Sequence, residues 1–352
     1  EDAIRPSSAP NPDLRWEKTQ SANIGMDLSL WDNIISLSVD YYYRKGTDLI
    51  GLRMLPLETG YTSTTVNWAQ MENEGVEVAL TTRNIHTKDF TWFTNLNFGY
   101  NDNTVLRETV AENAIKPSRE GYSVGAIFAY KTAGLDDEGY PLFLTQDGRK
   151  VTATEFFKLN NAGASTLSAE EQRNLYSYIG STEPKVSGGF MNTFKYKRVT
   201  LGINCIFNFG MYVQTTPTYD PTNYDRGLNS NRDILNRWTP DHTNTTLPKL
   251  MTENDGRTGE YLRYKEQNLF RELDIWVKKQ NYFRFESIRL GYELPEKWLK
   301  PVGIKSASVS LEGRNLWVIA SNYHNYLDPE TMGNPYAAPI PKSFIFGLNV
   351  NF

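Results

Sequence analysis

The sequence predicts an all-β fold: a transmembrane antiparallel β-barrel segment of about nine strands with long extracellular loops. Three observations predict it. Apolar and polar residues alternate with a period of two over most of the 352 residues. The connections between alternating runs are short and long by turns. Aromatic residues make up 13% of the chain, with 21 Tyr, a share that suits amphipathic rings placed at two water–lipid boundaries. No apolar run approaches the ~20 residues of a membrane helix, and the mean hydropathy is -0.53. Those facts exclude a helical membrane protein but not a barrel, whose lumen and loops dilute the lipid-facing residues. A formal net charge of -4 argues against the concentrated basic face that nucleic acid requires.

Residues 1–12 read as loop without an export-signal pattern, so any such signal is expected upstream or already removed. Residues 34–44 then set the pattern. Ile35, Leu37, Val39, Tyr41 and Tyr43 alternate with Ser36, Ser38, Asp40, Tyr42 and Arg44. Side chains alternate across a strand, so an apolar face lies opposite a mostly polar one. Residues 91–101 repeat it, with Trp92, Thr94, Leu96, Phe98 and Tyr100 against Asn95, Asn97 and Asn101. Residues 306–317 repeat it again, with Ala307, Val309 and Leu311 opposing serines, Glu312 and Arg314. Further strands are predicted at 16–30, 73–83, 186–196, 199–213, 283–294 and 342–352. In 283–294 the apolar phase changes between Phe285 and Ile288, which predicts a bulge near Glu286–Ser287. Long helical patterns are scarce; the best candidates are 154–159 and 168–179, the second with Ser168 and Glu171 spaced like a capping box.

Connections at 31–33, 84–89, 197–198 and 295–303 are short, whereas 46–72, 105–185, 214–282 and 320–341 are long. This alternation is how bacterial barrels are built, with short periplasmic turns and long outer loops. Residues 122–131 have strand chemistry, but a membrane crossing there would break the alternation. They are therefore expected inside the 105–185 loop, paired with 140–144. An odd count of strands does not close a barrel of this type. Open edges would leave unpaired backbone groups in lipid, so more polypeptide is expected to complete it.

Several stretches carry a family resemblance: Asn11-Pro-Asp-Leu-Arg-Trp-Glu-Lys-Thr19, Asp40-Tyr-Tyr-Tyr-Arg-Lys-Gly-Thr-Asp-Leu-Ile50, Leu55-Pro with Thr59-Gly60, and Asn73-Glu-Gly-Val-Glu77. Gly180-Ser-Thr-Glu-Pro-Lys185, Gly188-Gly-Phe190 and Asn236-Arg-Trp-Thr-Pro240 follow. Phe283-Arg284, Leu290-Gly-Tyr-Glu-Leu-Pro295, Asn315-Leu316, Asp328-Pro-Glu330 and Phe346-Gly-Leu-Asn-Val-Asn-Phe352 complete the series. In this order and spacing they resemble the C-terminal barrel portion of the SusC/RagA family of TonB-dependent outer-membrane transporters of Bacteroidetes. The resemblance implies a barrel of about 22 strands around a plugged lumen. It implies a segment that engages the TonB complex, a SusD-like surface lipoprotein hinged as a lid, and oligosaccharide or oligopeptide cargo. Residues 1–352 are then one C-terminal barrel domain in the outer membrane of a Gram-negative bacterium, with plug and N-terminal strands absent from the chain. The alternatives are a non-transporting surface binding or adhesin barrel, and a soluble all-β glycan-binding protein.

Catalysis finds no motif, and neither an enzyme nor a cofactor is expected. His86, His242 and His324 sit in no metal-binding or hydrolase pattern. Asp136-Asp-Glu-Gly139 and Asp328-Pro-Glu330 offer carboxylates but lack calcium-loop spacing. Asp137-Glu-Gly and Gln146-Asp-Gly-Arg read instead as hairpin turns. The lone Cys205 lies in an apolar strand series and reads as a small packed hydrophobe. The expected cargo contacts are outer-loop aromatics: Tyr61, Trp68, Tyr219, Tyr224, Trp238, Tyr323 and Tyr326. Flat rings with polar tips suit sugar C–H faces and peptides alike, and the competing reading is that they pack loop against loop. Phe352, closing an alternating run, is expected to serve as the barrel-assembly signal or as a girdle aromatic.

Overall fold

Nine alternating segments form one antiparallel sheet in which every strand pairs with its neighbours in the chain. In the computed structural model these are β1 (Lys18–Leu30), β2 (Ile35–Met54), β3 (Ser63–His86), β4 (Phe90–Arg107) and β5 (Val186–Tyr196). They continue with β6 (Val199–Phe209), β7 (Tyr282–Glu293), β8 (Ser306–Ala320) and β9 (Ser343–Asn351). The structure describes residues 9–55, 57–61, 63–111, 113–223, 230–321, 328–334 and 336–352. Among them, no helix is long and apolar enough to cross a membrane.

Register turns nine separate alternations into two continuous faces. One row of paired positions runs Leu28, Leu37, Leu80, Leu96, Phe190, Cys205, Phe285 and Trp317 across eight strands. The adjacent row on the other face reads Ser29, Ser36, Thr81, Asn95, Met191, Asn204, Ser287 and Arg314. A one-residue slip at any pairing would mix these faces. The apolar face stays uncovered by protein: Ile24 is 75% exposed, Phe346 72% and Trp317 68%. An exposed apolar surface this extensive belongs against lipid.

The predicted bulge is present. Against β6, Asn204 and Cys205 pair with Ser287 and Phe285, leaving Glu286 as the extra residue; against β8, Phe285 and Ser287 pair with Trp317 and Arg314, so there β8 carries the extra residue, with Asn315 and Leu316 facing Glu286. Opposite it, Asn315 of β8 takes a left-handed backbone, φ 53. Cys205 is fully buried beneath its neighbours.

Two expectations need correction. Most of 46–72 is not loop: β2 and β3 continue through it as a hairpin, with 20 and 24 residues. A tilted crossing needs about 9–11 residues, so the hairpin projects well beyond the bilayer. A break at Gly46/Leu49, with Asp48 at φ 56, shifts the apolar phase and hides the strand from a period-two reading. The segment Ala126–Ala129 does lie outside the wall, as expected, but it pairs with Ser177–Ser181. It is Thr132–Leu135 that pairs with Pro141–Leu144. The second helix is correspondingly short, Ala169–Arg173, with its capping box formed.

The largest hydrophobic core lies in the loops rather than the wall. The described residues of 108–185 and 210–281 interleave around Tyr130, Phe143, Phe157, Tyr219, Leu269 and Trp276. Short helices Ala153–Phe157 and Thr258–Gln267 pack into it. A wall with lipid on one side and lumen on the other leaves no interior of its own, so loop aromatics build one.

Candidate transport wall and outer mouth

The polar face supplies a lumen lining that holds itself together. Tyr42 Oη donates to Asn101 Oδ1 at 2.8 Å, and Asn103 Nδ2 donates to Asn73 Oδ1 at 2.6 Å. The loop backbone joins this ladder where Val124 N–H donates to Asn103 Oδ1 at 2.8 Å. Gly75 makes the arrangement possible. A Cβ there would sit 2.5 Å from Tyr42 Oη, so only glycine lets the Tyr42 ring lie across β3. Two of the motif stretches, at 40–50 and 73–77, thus meet at one packing contact.

Toward β7 the lining becomes charged. A groove of about 430 Å³ runs along it, with Thr193, Thr200, Asn204, Arg289, Glu293 and Glu312 among its walls. Lys195 Nζ lies 2.9 Å from Glu293, and Arg314 Nε lies 2.5 Å from Glu312. At the outer end, Asn208 Nδ2 donates to Tyr282 Oη at 2.5 Å, and Arg284 pairs with both Asp328 and Glu330.

A second cleft, about 220 Å³, opens where β4 and β5 leave the wall, between Asn101, Asn103, Ser123, Lys185 and two tyrosines. Tyr122 and Tyr178 stack with ring centroids 4.7 Å apart and remain 40% and 38% exposed. Sequence reading missed this pair. They are 56 positions apart, and nothing in a period-two pattern signals that they meet.

The expected cargo aromatics are dispersed. Tyr61 is half-buried in the short connection after β2, and Trp68 is on β3 with the Arg107 guanidinium 4.5 Å over its ring. Trp238 packs over the turn at Gly139, where a Cβ would meet its ring at 2.5 Å. Tyr219 is buried in the loop core and donates to Pro248 O at 2.7 Å. Burial pushes its phenol upward, and its position packs loop against loop. Tyr224, Tyr323 and Tyr326 lie outside the described residues, as does His324. Phe352 ends the chain beyond β9, 80% exposed.

The acidic motifs have structural partners. Asp136 Oδ1 accepts from the Glu138 and Tyr140 N–H groups in a turn that Gly139 completes at φ +82, and Oδ2 pairs with Arg257 at 2.6 Å. The Gln146-Asp-Gly-Arg turn likewise places Gly148 at φ +84. Partial burial works to raise the Asp255 carboxyl, but hydrogen bonds from Thr252, Lys249 and Tyr140 outweigh it and hold it down at about 2. Among the described residues, no group of three His, Cys, Asp or Glu side chains comes together to hold a metal ion.

A meandering wall, apolar on its uncovered face and polar on the other, with its large loops at one end, defines an outer-membrane β-barrel. The family described as TonB dependent receptor-like, beta-barrel matches residues 3–142. The chain is 27% identical over 375 residues to TonB-dependent receptor P3 of Formosa agariphila, covering 97% of this chain and 35% of that protein. It is 23% identical over 367 residues to TonB-dependent receptor SusC of Bacteroides thetaiotaomicron, covering 97% of this chain and 32% of that one. The RagAB peptide importer in its closed-closed state superposes with a TM-score of 0.74 at 26% identity, over 98% of this chain and 36% of that one. The chain is thus similar over nearly its whole length to TonB-dependent receptors, SusC and the RagAB transporter among them, and spans about a third of the length of those relatives; its place is the outer membrane of a Gram-negative bacterium.

Proposed function

We propose that residues 1–352 form the C-terminal wall and outer loops of an importer of oligomeric nutrients, oligosaccharides or oligopeptides. The observation that carries this reading is the pair of continuous faces: a register-locked apolar surface against lipid and a hydrogen-bonded polar surface toward a lumen. A surface binder needs loops but not a lined passage. In this reading β1 and β9, each paired on one side only, join the remaining strands of the same transporter, because open edges in lipid are costly. A plug fills the lumen and the TonB complex acts through the N-terminal part. A SusD-like lipoprotein covers the loops. The chain contributes wall and loops rather than catalysis.

Cargo contacts in this reading are Tyr61, Trp68 and Trp238 with the Tyr122/Tyr178 stack, and Tyr224, Tyr323 and Tyr326 remain proposed partners. The RagAB relative is a peptide importer, which favours neither cargo class here by itself. The test uses the full-length protein in its own cells, with and without the TonB-engaging segment. Labelled oligosaccharide and oligopeptide pools are followed separately for surface binding and for entry. Import predicts that removal of the segment abolishes entry while surface binding persists. Surface binding with no entry in the intact protein would instead establish the adhesin alternative.

A further inference from the structure

Arg284 stands on the lumen-facing side of β7, near its outer end, yet its side chain is only 3% exposed. An arginine on a wet wall extends its guanidinium into water. Burying it is costly unless carboxylates pair with it in good geometry. Here residues 44 and 46 positions further along the chain do so: Arg284 Nη2 donates to Asp328 Oδ1 at 2.5 Å and Nε donates to Glu330 Oε1 at 2.6 Å. Because Arg284 faces the lumen, the segment bringing these carboxylates crosses the wall on its lumen side.

The segment is shaped for that position. Asp328 Oδ1 also accepts the Glu330 N–H at 3.0 Å, and Thr331 N–H closes a turn onto Asp328 O at 3.0 Å. Pro329 is fully buried and Met332 is 6% exposed. Gly333 lies so close to Val213 that a Cβ there would sit 2.6 Å from Val213 Cγ2. Val213 belongs to the strand Tyr212–Gln214, which pairs with Val277–Lys279 at the base of the 210–281 loop. The same base is fastened again where Ser321 N–H donates to Asn281 O at 2.9 Å and Gly210 N–H donates to Asn281 Oδ1 at 2.8 Å.

We propose that Arg284 is a latch that holds residues 328–334 as a strap across the lumen face of the outer mouth, tying the last outer loop to the base of the middle one. The two loops then move with the wall as one unit, and releasing Arg284 frees the strap and widens the mouth. The inference rests on the barrel's orientation and not on its cargo.

The experiment follows Met332→Cys in the full-length protein on intact cells, labelled with a membrane-impermeant maleimide, with Cys205 buried and silent. With Arg284 present, labelling is expected to be slow. With Arg284→Met it is expected to be at least tenfold faster, at unchanged heat-modifiable mobility of the assembled barrel. Glu330→Gln keeps the Asp328 pair and alters a side chain already 30% exposed, so it carries the test if Arg284→Met does not assemble; a severalfold increase is expected. A Val213→Cys/Gly333→Cys disulfide added to either variant should restore slow labelling, and reduction should release it again. Equal labelling rates in all backgrounds would overturn the proposal, as would a covalent clip that forms and leaves fast labelling unchanged.

Discussion

Replacing Leu96 by Arg, beside the control Asn97→Arg, tests which face meets lipid. β4 starts at Phe90 on the periplasmic side, and Leu96 is six residues in. At ~3.4 Å per residue and a tilt of about 45°, six residues reach a depth of about 14 Å, near the midplane of an apolar band roughly 25 Å tall. Register sets Leu96 between Leu80 and Phe190 on the apolar face, while Asn97 lies between Ala79 and Gly189 on the polar one. A lipid-facing Arg at the midplane costs about 2–4 kcal/mol, whereas a lumen-facing one is accommodated by water. At about 1.4 kcal/mol per tenfold, Leu96→Arg should lower the folded-to-unfolded ratio about 30- to 1,000-fold. The assay is a urea titration of the full-length protein folded into vesicles, with heat-modifiable mobility as the readout. Leu96→Arg should shift the midpoint markedly and Asn97→Arg hardly at all. Equal shifts, or the reverse order, would refute the assignment of faces. Because the two residues are adjacent on one strand, general fragility of the protein cancels in the comparison.

Five further outcomes are expected. Gly75→Val should displace the Tyr42 ring from β3 and break its bond to Asn101, costing roughly 2–4 kcal/mol from overpacking and one lost hydrogen bond, readable as a lower urea midpoint. Tyr219→Ala should destabilise the loop core locally by about 3–5 kcal/mol and expose 210–281 to protease; Trp238→Ala should weaken cargo binding in the intact complex, and unchanged affinity would remove Trp238 from the contact set. The depressed Asp255 carboxyl stabilises the loops when ionised, so its contribution is complete above the ordinary Asp range near ~4 and fades as pH falls toward its folded value of about 2; pepsin resistance of the loops should hold to about pH 4 and fall below it, more steeply than in Asp255→Asn. Deleting Phe352 should reduce the yield of assembled barrel in the outer membrane, measured against total protein, and wild-type yield would leave it a girdle aromatic only.

How much was legible in the sequence differs between wall and mouth. The nine crossings, their order, their outward faces and the Glu286 bulge could all be read beforehand, since strand period and a phase change are local properties of neighbouring residues. The extension of β2 and β3 could not, because the break around Asp48 interrupts the very periodicity that reveals a strand. The candidate site was legible only as composition. Tyr219 and Trp238 looked alike as loop aromatics, yet one is buried in a core assembled from segments far apart and the other packs over the Gly139 turn.

By itself, then, the sequence determined a membrane wall with two chemically opposite faces and all its long loops on one side. Only the tertiary structure decided that residues 108–185 and 210–281 share one core, that Ala126–Ala129 pairs with Ser177–Ser181, and that Arg284 is gripped by Asp328 and Glu330. The physical reason is range. Alternation is set by backbone geometry within a few residues, whereas these contacts join residues 44 or more positions apart, at an entropic cost that only slowly increases with length and so singles out no partner in advance. Packing and charge pairing choose the partner, and they act only once the chain has folded back on itself.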